Sequence, residues 1–73
     1  MKLKDKFKII FDSGNSFYFQ NTIIRINGEF EMRIVWKHVQ LPGNTVLNKC
    51  KWEGFTTIEE CVDDCLNYIE KID

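Results

Sequence analysis

The spacing of hydrophobic positions changes once along this chain, from a period of two to a period near 3.6. Residues 6–11 read Lys-Phe-Lys-Ile-Ile-Phe, an alternation that predicts a strand with Phe7, Ile9 and Phe11 on one face. Asp12-Ser13-Gly14-Asn15-Ser16 is a dense turn cluster suited to a hairpin loop. Residues 17–26 predict a second strand whose parity shifts. Phe17 and Phe19 share one face, while Ile24 and Ile26 share the other. A bulge near Gln20-Asn21-Thr22 would reconcile the two halves, because one extra residue reverses the facing. Asn27-Gly28 follows, and this pair between two β-rich runs predicts a two-residue type I′ turn.

Residues 29–39 predict a third strand. Phe30, Met32, Ile34, Trp36 and His38 form its expected core face; Glu31, Arg33, Val35, Lys37 and Val39 form the other. Leu41-Pro42-Gly43-Asn44 ends it, since proline cannot donate to a ladder. Residues 45–53 predict a fourth strand, with Val46, Cys50 and Trp52 on one face. Residues 57–71 then switch to helical spacing. Ile58, Cys61, Val62, Cys65, Leu66, Ile69 and Ile72 make the apolar stripe. Thr57 with Glu60, or Thr56 with Glu59, supplies a capping box. The expected architecture is α+β: an antiparallel meander of three to four strands (β-β-β-β-α), packed on one face by a single C-terminal amphipathic helix.

Length adds one constraint: 73 residues make a single small domain, residues 1–73. The apolar runs are too short for a membrane helix, and no leader is recognised, so a cytoplasmic protein with reduced thiols is expected. Alanine is absent and lysine outnumbers arginine eight to two, a bias associated with AT-rich genomes and their phages.

Charge changes the picture more. Residues 1–52 carry nine Lys/Arg against Asp5, Asp12, Glu29 and Glu31, a balance of +5. Residues 53–73 carry seven acids against Lys71, a balance of −6. A basic half and an acidic half can each steer a partner of the opposite sign.

Candidate chemistry is sparse. Cys50, Cys61, Cys65 and His38 are a valid zinc set by residue type, but no short Cys knuckle is present, so no metal is expected. His38 is the only histidine and has no recognisable nucleophile beside it. The four glycines are isolated turn residues, so no nucleotide cofactor is expected. Catalytic residues are expected to be none, and the chain reads as a non-enzyme.

Two surfaces remain. Glu59, Glu60, Asp63, Asp64 and Asn67 line the predicted helix, with like charges four residues apart that a basic partner would offset. Reversing Asp63 and Asp64 to lysine is expected to abolish that binding with the fold intact. Arg33, Lys37, Lys49 and Lys51, interleaved with Trp36 and Trp52, suit a sheet that grips phosphates and stacks bases.

Trp52-Glu53-Gly54-Phe55-Thr56-Thr57-Ile58-Glu59-Glu60-Cys61 resembles the strand-to-helix junction of plant-type AP2 DNA-binding domains, where a three-stranded sheet precedes one helix and reads DNA. The same junction, with Leu41-Pro42-Gly43 upstream, is similar to the C-terminal part of HicB-type antitoxins. No functional residue is carried over from either. The favoured expectation is a small binding protein whose acidic helix engages a basic protein partner, such as a host nucleic-acid-binding protein. In style it resembles phage- or mobile-element-encoded inhibitors, including anti-CRISPR proteins. The alternatives are a sheet-based nucleic-acid binder and an antitoxin-like or homodimeric accessory protein whose second copy covers an apolar sheet face.

Overall fold

The computed structural model describes residues 1–40, 45–48 and 53–72. The element order is α1 (Leu3–Asp12), β1 (Ser16–Ile26), β2 (Glu29–Gln40), β3 (Thr45–Asn48) and α2 (Ile58–Ile72). The fold is α+β, with antiparallel strands and two helices.

The first element corrects the expected strand over residues 6–11. It is helix α1, which begins three residues earlier. Leu3, Phe7 and Ile10 stand at i, i+4 and i+7 and share the side that packs inward. Ile9 and Phe11, which a strand would have placed beside Phe7, are exposed. A six-residue run fits both periods, and Leu3 outside that window decides for the helix. Ser13 stops it: its N–H and its hydroxyl both donate to the Ile10 carbonyl, and Gly14 turns the chain at φ +78°.

β1 and β2 form a hairpin through Asn27 and Gly28, at φ +52° and +83°. Both residues have positive φ, as a type I′ turn requires. The register runs without a slip from Ser16↔Val39 to Ile26↔Glu29. The expected bulge near Gln20-Asn21-Thr22 is therefore absent. The parity change is one of cover instead. Phe17 and Phe19 are half-buried on the helix-bearing face, whereas Thr22, Ile24 and Ile26 are half-buried on the opposite face. Along β1 the two faces are covered at different ends, whereas on β2 the reverse face is buried at Val35.

β3 continues the meander, pairing antiparallel with β2 from Gln40↔Thr45 to Lys37↔Asn48. The expected turn at residues 41–44 and the expected strand positions Cys50 and Trp52 lie outside the described residues. The chain then returns to β2, where Phe55 and Ile34 exchange two backbone hydrogen bonds of 2.8 Å. Thr57 caps α2 by accepting the Glu60 N–H at 3.2 Å. The Glu60 carboxylate accepts from the Thr56 hydroxyl, also at 3.2 Å, so one arm of the expected capping box forms as written.

The core gathers Ile10 of α1, Trp36 of β2, Phe55, and Cys61, Val62, Cys65 and Ile69 of α2. The expected core face of β2 is correct only for part of its length. Trp36 and His38 are buried, but Phe30 is 74% and Met32 61% exposed. Length explains this. Fifteen helical residues span about 22 Å, whereas twelve strand residues span about 40 Å. The helices therefore leave the turn end of the hairpin uncovered.

Gly54 permits the return to β2. Its φ is +73°, and a Cβ there would stand 2.8 Å from the Arg33 Cβ and 3.2 Å from the Ile34 carbonyl oxygen. Neither backbone nor Cβ can yield cheaply. Gly54→Ala is expected to destabilise the protein by about 2 kcal/mol, read as a lower urea midpoint with an unchanged slope. Gly28→Ala is the control for positive φ alone, because no atom lies within 4 Å of a Cβ built there.

Candidate functional site

α2 places its acidic residues on two sides. Glu60, Asp63, Asn67 and Glu70 recur at i, i+3, i+7 and i+10, and all four are exposed. Glu59 and Asp63 border α1. There Lys6 donates to Glu59 Oε1 at 3.0 Å and to Asp63 Oδ1 at 2.8 Å. Hydrogen bonds from Asp63 first and Glu59 second raise the Lys6 ammonium above its ordinary 10.5. The basic and acidic halves of the sequence thus meet at the α1–α2 seam, and part of the like-charge repulsion along α2 is offset inside the molecule.

Asp64 faces the sheet. Its Oδ2 accepts the indole Nε1–H of Trp36 at 2.8 Å. A fully buried tryptophan needs an acceptor for that proton, and here the acceptor is charged. The five residues expected to bind a partner therefore divide. Glu60 and Asn67 point to solvent, Glu59 and Asp63 are shared with Lys6, and Asp64 holds the core. The expectation that reversing Asp63 and Asp64 leaves the fold intact does not survive these contacts.

Two of the basic candidates lie on the other side of the sheet. Arg33 and Lys37 share the face opposite the helices. The Arg33 guanidinium donates to the Glu31 carboxylate, which neutralises it in part. Lys37 sits across from exposed Tyr18 in the β1–β2 register. Lys49 and Lys51 lie outside the described residues, so the structure brings together only half of this set.

Sequence reasoning missed a polar cluster around His38. Its Nε2 lies 3.2 Å from Asn15 Oδ1 and its Nδ1 lies 3.1 Å from the Tyr68 hydroxyl. Asn15 Nδ2 donates to the Ser13 carbonyl, which turns Oδ1 toward the imidazole. Nε2 then carries a proton toward Asn15 Oδ1, and Nδ1 pairs with the Tyr68 hydroxyl. The ring also stacks on Phe17, with centroids 4.9 Å apart. Both nitrogens of this buried imidazole are occupied in tying β2 to α2 and to the α1–β1 loop. The available signal was the isolated His38 on a core face, which demands partners from elsewhere.

Cys61 and Cys65 are fully buried on α2. Burial first, and the Asp64 charge second, push the Cys65 thiol up to about 12. Among the described residues no three His, Cys, Asp or Glu side chains gather to hold a metal. No helix among them is long and apolar enough to cross a membrane. An apolar groove of about 320 Å³ runs where α1 meets the start of β1, lined by Phe7, Ile10, Phe11, Phe17 and Phe19 among others. No family model, no curated protein and no solved structure matches this chain.

Two outcomes test this geometry. Asp64→Leu strands the buried indole N–H and should cost about 1–3 kcal/mol. Asp64→Asn keeps an accepting oxygen and should cost less; equal losses in thermal melts would show that Trp36 does not depend on that bond. Separately, the folded state holds the Cys65 proton more tightly than the unfolded chain, whose thiol titrates near 9.0. That stabilisation is complete below pH 9 and is lost as pH rises toward about 12. Unfolding free energy should therefore fall above pH 9, and the fall should be shallower in Cys65→Val. Matched slopes would contradict the assignment.

Proposed function

We propose that this is a small non-enzymatic binding protein that presents the exposed stripe Glu60, Asp63, Asn67 and Glu70 of α2 to a basic partner surface. One observation carries the reading. Lys6 and Trp36 engage Glu59, Asp63 and Asp64 from one side, yet the solvent side of α2 still shows acids with no basic residue interleaved between Ile58 and Glu70. Such a rigid row of carboxylates has the sign to compete with phosphates for a nucleic-acid-binding protein. A phage- or mobile-element-encoded inhibitor of a host enzyme is one form of this reading, with the host cytoplasm as its setting.

The second reading is a nucleic-acid binder that uses the open sheet face. The pairing of Lys37 with exposed Tyr18 favours it, since a cation beside an aromatic ring suits a stacked base.

Charge reversal separates the two at the cost of one exposed contact, the Thr56 hydroxyl on Glu60. Glu60→Lys with Glu70→Lys should abolish capture of a basic protein partner, while Lys37→Glu leaves it unchanged. Labelled single- and double-stranded nucleic acids should show no anisotropy change at low salt. Binding that weakens linearly in a log–log salt plot and is lost in Lys37→Glu would replace the acidic reading with the sheet-based one.

A further inference from the structure

Among the described residues β1 is one of the two outer strands of the sheet. It is eleven residues long, pairs without a bulge, contains no proline and carries a single charge, Arg25. Edge strands usually carry lysines, proline or a bulge that discourages pairing. This one has none of those devices.

The direction of its free backbone groups follows from the other side of β2. Ile34 exchanges both of its hydrogen bonds with Phe55, so its N–H and C=O point away from β1. Its Cα partner in β1 is Asn21. The Asn21–Ile34 pair is therefore of the non-hydrogen-bonded kind, and the Asn21 N–H and C=O point to the open edge. Alternation extends this to Phe17, Phe19, Ile23 and Arg25. Those five residues also direct their side chains to the helix-bearing face.

We infer that β1 pairs antiparallel with β1 of a second copy, about a twofold axis at Asn21, so that two sheets become one. The register is self-complementary from end to end. It sets Phe19 opposite Ile23 of the second copy and Tyr18 opposite Ile24, both aromatic–β-branched pairs. Gln20 faces Thr22, and the two Asn21 side chains meet. Arg25 faces Phe17, a contact of the kind Arg25 already makes over the Phe30 ring at 5.8 Å. No two charges oppose each other, and about ten ladder hydrogen bonds form.

The exposed apolar residues favour a second copy over an unrelated strand. Ile23 is 64% exposed on the helix-bearing face, beside Met32 and Phe30 at the end the helices do not reach. Phe11 is 78% exposed next to the groove between α1 and β1. A twofold axis normal to the sheet brings the uncovered end of each copy alongside the helix-covered end of the other. Each copy then supplies what the other lacks. The inference does not depend on the acidic stripe of α2.

Sedimentation velocity from micromolar to submillimolar concentration should give a species of twice 8.7 kDa. Asn21→Pro should return it to 8.7 kDa with the circular dichroism spectrum unchanged, because the Asn21 N–H takes no part in the β1–β2 ladder. Asn21→Cys tests the register without relying on that variant's folding. At the axis the two Cα atoms would lie about 5.5 Å apart, within disulfide reach. Mild oxidation should yield a covalent dimer beyond the wild-type background, whereas Tyr18→Cys should not. A wild type that stays at 8.7 kDa throughout, a dimer that persists in folded Asn21→Pro, or equal cross-linking from position 18 would each overturn the inference.

Discussion

The arrangement depends on Trp36. Among the described residues it is the largest fully buried side chain, it stands on the central strand away from the hairpin turn, and α2 packs over it. Small residues on the facing helix, Cys61, Val62 and Cys65, let the helix approach a bulky indole. Asp64 then fixes the indole through Nε1. With α2 seated there, His38 comes under Tyr68, and Phe17 packs against Trp36, His38 and Tyr68. The helix cannot also reach Phe30 and Met32. The exposure at the turn end of the hairpin is thus a consequence of where the tryptophan sits.

The same placement explains the segregated charge. A helix with its N-terminal acids next to α1 needs cations from that neighbour, and Lys6 supplies one to two carboxylates at once. The acids near the N-terminus of α2 also lie at the positive end of its dipole. What remains after these two offsets is a narrower stripe than the composition suggests. Its side chains are exposed on α2 and stand outside the core.

Local chemistry made several features legible in the sequence. The α2 stripe runs unbroken over four turns, Thr57 caps it, and Asn27-Gly28 admits one turn geometry. Trp36 as core follows from its parity with Ile34. Part of each failure lies in contacts that are distant in sequence. Residues 6–11 satisfy both periods, and what favours the helix includes Lys6 meeting residues more than fifty positions away. The parity shift in β1 looked like a bulge because sequence does not reveal that the two faces of one strand can be covered at opposite ends. Asp64 looked like surface because its acceptor role belongs to a tryptophan 28 residues earlier.

That parity shift has a further meaning. Asn21 is the midpoint of β1 and the place where burial changes face. On one side of it the helix-bearing face is covered and on the other it is bare. In an isolated domain this is costly, since Ile23, Phe30 and Met32 stand in water while polar Thr22 is half-buried on the reverse face. A strand whose two halves differ in this way becomes complementary to itself when reversed about its centre. The polar Asn21 at that centre is then no defect in an apolar strand. In the proposed pairing it is the one position that faces its own copy, and a side chain with both a donor and an acceptor suits it.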